Sequence, residues 1–78
     1  MPRFYFDIAD GPDSGIDDVG LEFPDLEMAR KNALATLGEI ARDELPDGDR
    51  RDFQISIRDE SGQILLKALL ALRVENTA

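Results

Sequence analysis

Apolar and polar residues alternate along Arg3-Phe4-Tyr5-Phe6-Asp7-Ile8, with Phe4, Phe6 and Ile8 on one side and Tyr5 and Asp7 on the other. That period of two predicts a half-buried strand. Asp10-Gly11-Pro12-Asp13-Ser14-Gly15 follows and carries turn chemistry throughout. Val19, Leu21 and Phe23 then predict a second, shorter strand. The first third of the chain reads as a hairpin with an acidic tip.

After Pro24 the period changes to 3.6. Leu26, Ala29, Ala33, Leu34, Leu37, Ile40, Ala41 and Leu45 share one face, and Glu27, Lys31, Ala35, Glu39 and Arg42 lie opposite. Asp25 is placed as the N-cap, its carboxylate accepting a bond from an amide of the first turn. Pro24 keeps Phe23 out of the helix, and Pro46 forbids its continuation before an Asp47-Gly48-Asp49 turn. Two charges interrupt the apolar face, Arg30 in the first turn and Glu44 in the last. Arg30 reads first as a rim residue with a packed stem. Its functional alternative is an anion contact for a partner's carboxylate.

Alternation returns at Asp52–Arg58, where Phe53, Ile55 and Ile57 face in and Gln54, Ser56 and Arg58 face out. Asp59-Glu60-Ser61-Gly62 is a tight loop with Gly62 suited to the left-handed position. A four-residue loop there pairs Ile57 with Ile64 and Ile55 with Leu66, apolar against apolar. In residues 63–73, Ile64, Leu66, Ala68, Leu70 and Leu72 form the inward row and leave Leu65 and Leu69 outward. The same leucines also fit a buried helix, so helix stays the alternative to strand. The order β-β-α-β-β predicts an α+β domain: an antiparallel sheet with one long helix packed across one face. Residues 1–78 form a single domain, with Met1 and residues 75–78 frayed.

Composition narrows the function classes. A hydrophobic fraction of 42% with 33% charged residues fits a soluble globular chain, not a disordered one. The start has no signal-peptide pattern and there is no long apolar run, so cytoplasm is the expected location and the membrane is excluded. The net charge of −8 is uneven, with seven acids against one base in residues 1–25 but four acids against five bases in residues 50–78. No concentrated basic face exists to neutralise phosphates, which argues against nucleic acid.

The chain has no histidine and no cysteine, which removes the usual general base, thiolate and imidazole ligands. The serines, Ser14, Ser56 and Ser61, have no base to activate them. No cofactor, metal site or catalytic residue is expected. The residual chemical reading is a carboxylate- or metal-dependent enzyme using Asp10, Asp13, Asp17 and Asp18, but their spacing lacks the calcium-loop pattern and its closing glutamate.

Met1-Pro2-Arg3-Phe4-Tyr5-Phe6, Asp18-Val19-Gly20-Leu21-Glu22-Phe23-Pro24-Asp25-Leu26 with Ala29-Arg30, and Asp59-Glu60-Ser61-Gly62 before an aliphatic run carry a resemblance. Together they resemble a bacterial domain-of-unknown-function family of short stand-alone proteins. Its members have an aromatic first strand and a G-x-E-[LF]-P-D-[LA] helix start. The resemblance implies a fold unit and a bacterial cytoplasmic setting, and no activity. A weaker one, through Phe23-Pro24-Asp25-Leu26, is to the antitoxin half of the bacterial HicA/HicB pairs. It implies an antitoxin-like, partner-binding protein, although a strand-rich C-terminal half stands where a DNA-binding segment would be.

The expected function is therefore a non-enzymatic protein-interaction or regulatory domain. Its predicted interface is the sheet face that the helix leaves bare, with Tyr5, Leu65 and Leu69 as apolar contacts and Arg58, Lys67 and Arg73 as charges. A homodimer through that face is the expected way to cover it.

Overall fold

The chain runs through Arg3–Asp10 (β1), Asp13–Gly15 (β2), Leu21–Glu22 (β3), Leu26–Glu44 (α1), Arg50–Arg58 (β4) and Ile64–Arg73 (β5). The computed structural model describes residues 1–11, 13–44 and 50–77, with the backbone alone for Asp13 and Arg50. The expected Leu45 helix end and the Asp47-Gly48-Asp49 turn lie outside the described residues. The sheet order is β2-β1-β4-β5, all antiparallel, and β3 pairs with β1 on the same side as β2. The fold is α+β with the helix packed on one face of the sheet. Residues 64–73 are strand, which removes the helical alternative.

Phe53, Ile55 and Ile57 of β4 are completely buried, as the alternation predicts for a central strand between β1 and β5. They meet Phe6 and Ile8 on β1 and Leu66 and Ala68 on β5. The helix presses down on them through Ala29, Ala33, Leu37 and Ala41, one residue every four. That stripe is narrower than the periodicity predicts, and Leu26 and Leu34 stand at its margins more than a third exposed. Three alanines in the stripe let the helix backbone lie close to the sheet, so no wide apolar face is required. The cap is as expected: the Met28 amide donates to Asp25 Oδ1 at 2.9 Å.

The first hairpin departs from expectation. β2, which falls within the predicted turn, pairs directly back on β1, with Asp10 opposite Asp13. The predicted strand over Val19, Leu21 and Phe23 shrinks to Leu21–Glu22. Val19 and Leu21 are exposed, and only Phe23 reaches the core, its ring 6.4 Å from Phe4 and 5.9 Å from Phe6. The cause is that the chain leaves the ladder between Ile16 and Gly20.

The last hairpin also differs in register. Ile57 pairs with Leu66, not Ile64, and Ile55 with Ala68, not Leu66, and a bulge intervenes before Arg58 pairs with Ile64. Leu65 is the extra residue. The loop is longer than four residues because Asp59 organises it: its carboxylate accepts from the Ser61 and Gln63 amides and the Ser61 hydroxyl. Gly62 takes φ +89°, as expected for a left-handed position.

Candidate functional site

The bare face of the sheet divides into two parts. On the β1–β4 side the Arg58 guanidinium is fixed from several directions. It forms a two-point ion pair with Asp7, donates to the Asp17 carbonyl at 2.7 Å and lies 5.2 Å from the Tyr5 ring centroid. Asp17 does the work of a missing strand. Its carboxylate accepts the Phe6 amide at 3.1 Å and the Val19 and Gly20 amides at 3.0 Å, while its own amide donates to Asp7 Oδ1.

The charges respond to this arrangement. The hydrogen bond from Arg58 holds the Asp7 carboxyl below its ordinary value of 3.8. Burial alone would raise Asp17, but the Gly20, Phe6 and Val19 amides outweigh it and hold this carboxyl low as well. Both aspartates therefore carry their charge as structural members.

On the β5 side the face is open. Leu69 is 68% exposed, Ile64 50% and Lys67 also lies in solvent. Arg73 is exposed and reaches Asp52 Oδ1 at 2.8 Å. Of the six residues expected at the interface, Lys67, Leu69 and Arg73 are accessible together on one strand. Tyr5 and Arg58 are half-buried in the network with Asp7. Leu65 is a correction, because the bulge turns it inward to pack against the core and sends Ile64 outward in its place. The Leu65-Leu66 doublet breaks strict alternation, as a bulge does, but so does Leu69-Leu70, which pairs regularly, so the doublet alone does not single out the bulge.

Arg30 is exposed on the first turns of the helix. Glu44, the other charge on the apolar face, bonds Arg51 at 3.2 Å, and Arg51 also holds Asp10 through two bonds of 2.8 and 2.9 Å. This ties the end of the helix to β1 and β4. Of the acidic loop, Asp10 is occupied by Arg51, Asp17 by backbone amides, and Asp18 stands in solvent, while the Asp13 side chain lies outside the described residues. Among the described residues no group of three or more His, Cys, Asp or Glu is placed to hold a metal ion. A shallow cleft of about 180 Å³ beside Ile8, Asp10, Ser14 and Gly15 is mostly apolar, and the acid that lines it among the described residues, Asp10, is already paired with Arg51.

The backbone of β5 adds what the side chains alone do not reveal. Gly11 donates to the Asp52 carbonyl at 3.1 Å, which sets the phase of the β1–β4 ladder. By the alternation of antiparallel pairing, Phe53, Ile55 and Ile57 then turn their N–H and C=O groups toward β5. Their partners Leu70, Ala68 and Leu66 turn theirs back to β4. Lys67, Leu69, Ala71 and Arg73 are left presenting amides and carbonyls at the free edge of the sheet. β5 has no strand on that side among the described residues.

No helix among the described residues is long and apolar enough to cross a membrane. No curated protein and no solved structure matches the chain, so the likeness to HicB-type antitoxins gains no support. A family match does exist, and it spans the sheet from the first residue of β1 into β5. With residues 3–71 covered, the chain belongs to the family described as Domain of unknown function (DUF6894).

Proposed function

We propose that this is a non-enzymatic protein-interaction domain of the bacterial cytoplasm that docks its partner along the free edge of β5. One observation carries the reading: a ten-residue strand stands at the sheet edge with exposed leucine side chains and an unpaired row of backbone groups. Such an edge is a template for a further strand, in which main-chain bonds supply affinity and the alternating side chains supply specificity. Folded domains usually blunt an edge of this length.

The test is Ala71→Pro. The Ala71 amide faces the free edge, so proline removes a docking donor without removing a bond to β4. Affinity capture from the native host is done in parallel with the wild-type and Ala71→Pro chains, with both melts measured. A partner held by the wild type and lost from an equally stable Ala71→Pro chain supports the reading. A partner retained by both chains overturns it.

A further inference from the structure

We infer that the occupant of the β5 edge is a second copy of this chain, paired antiparallel about a two-fold axis at Ala71, with Lys67 of each protomer opposite Glu75 of the other. This rests on the reading of β5 as the docking edge and adds its partner and register.

Charge distribution selects this edge for self-association. Residues 1–25 carry seven acids against one base, and their strands β2 and β3 flank β1 at the far side of the sheet. Joining two copies there would bring the acidic segments together. Joining them at β5 sets those segments at the two ends of the assembly, and residues 50–78, with five bases against four acids, meet in the middle.

Symmetry limits the registers. Antiparallel strands lying side by side are related by a two-fold perpendicular to the sheet, and such an axis keeps each face on its own side. Directly opposed residues must then come from the same face, so the axis passes through a residue position. An axis at Leu70 sets Lys67 against Arg73 of the other copy, twice over, and like charges directly opposite destabilise a pair. Axes at Ala68 or Leu69 run the pairing into the bulge at Leu65, where the edge is twisted and irregular.

An axis at Ala71 avoids the bulge. Lys67, Leu69, Ala71, Arg73 and, with the strand continued, Glu75 then use their edge-facing backbone groups. Lys67 meets Glu75 of the other copy, and Leu69 lies under the aliphatic stem of Arg73. On the helix side Leu70 meets Leu72 and Ala68 meets Val74, which covers side chains that are 39% (Leu70) and 49% (Val74) exposed in the single chain.

The two helices fit as well. Each packs chiefly on β4 and touches β5 less. With strands about 4.8 Å apart, two helices above β4 and its copy stand about 14 Å apart, beyond the ~8–10 Å of direct helix contact. The lysine that would guard a free edge against promiscuous pairing becomes the residue that selects the register.

The experiment is sedimentation velocity at about 100 μM, enough to reveal an affinity of ~10 μM, on the wild type, Lys67→Glu, Glu75→Lys, the double exchange and Ala71→Pro. All the charge changes are at exposed positions, so folding is retained. The expected result is a wild-type dimer weakened at least tenfold by either single charge change and restored by the double exchange. A wild-type monomer overturns the self-pairing, leaving the edge free for another protein. A dimer broken by Ala71→Pro but indifferent to both charge changes overturns the register alone. A dimer indifferent to Ala71→Pro overturns both the register and the edge that it rests on.

Discussion

The two edges of this sheet are built on opposite plans. At one edge β1 is flanked by β2 and β3, three and two residues long, with the chain leaving the ladder between them. The backbone group stranded by that gap is taken up by a side chain, when Asp17 accepts the Phe6 amide. At the other edge β5 runs ten residues and ends the sheet with no strand beyond it among the described residues. Short interrupted strands and inward-pointing charge are how proteins prevent edge pairing. The same molecule applies those devices on one side and, apart from Lys67 and the bulge at Leu65, omits them on the other. An unprotected edge beside a protected one is the contrast on which the proposed association rests.

The largest effect is expected where the protected edge is tightest. Gly20 sits at φ +74°, and a Cβ there would lie 2.9 Å from both the Phe4 carbonyl oxygen and Arg3 Cγ. Gly20→Ala should cost about 2–4 kcal/mol, combining left-handed strain with the clash. Gly62 has φ +89° but open space around it, and Gly62→Ala should cost only about 1 kcal/mol. Urea melts of the two variants compare one edge with the other. Equal losses would deny the close packing at Gly20.

Next comes Asp17→Ala, which leaves the Phe6, Val19 and Gly20 amides without their acceptor. About 2–3 kcal/mol of stability should be lost, with faster amide exchange confined to residues 16–20 and Phe6. The same carboxylates predict acid sensitivity. Asp7 and Asp17 have folded-state pKa values below the ordinary 3.8, so their contribution is fully present above the unfolded value. It is lost as pH falls through the lower folded value. Urea midpoints measured from about pH 6 down to about pH 2 should fall more steeply for the wild type than for Asp7→Asn or Asp17→Asn.

Asp25 joins the protected edge to the helix, and Asp25→Ala should cost about 1 kcal/mol of stability through the lost cap. An unchanged denaturant midpoint would remove Asp25 from that role. Smallest of all is Leu69→Glu on the open edge. With the side chain 68% exposed, stability of the single chain should change by no more than about 0.5 kcal/mol. A substantial loss of stability in dilute protein would place Leu69 in the fold instead of the interface.

Strands β1 and β4, the helix, its Asp25 cap and the left-handed Gly62 were legible in the amino-acid sequence because each rests on contacts within a few residues. Alternation places Phe53, Ile55 and Ile57 inward whatever the rest of the chain does, and a carboxylate before a helical run caps it without outside help. Tertiary structure alone decided the register of β5, because Asp59 draws Ser61 and Gln63 into a longer loop and the extra residue Leu65 is absorbed as a bulge. That one insertion exchanged Ile64 for Leu65 on the outer face, and no local pattern weighs a loop's hydrogen bonds against a strand's packing.

The collapse of the second strand to two residues was equally hidden. It depends on Asp17 reaching Phe6 across the hairpin and Arg58 reaching Asp7 from a strand fifty-one positions away. Alternation at Val19 and Leu21 signals burial, but the single helix rests chiefly on β4 and leaves both residues in water. Which edge stays open is likewise a property of strand order, and strand order is settled only when the whole sheet is assembled.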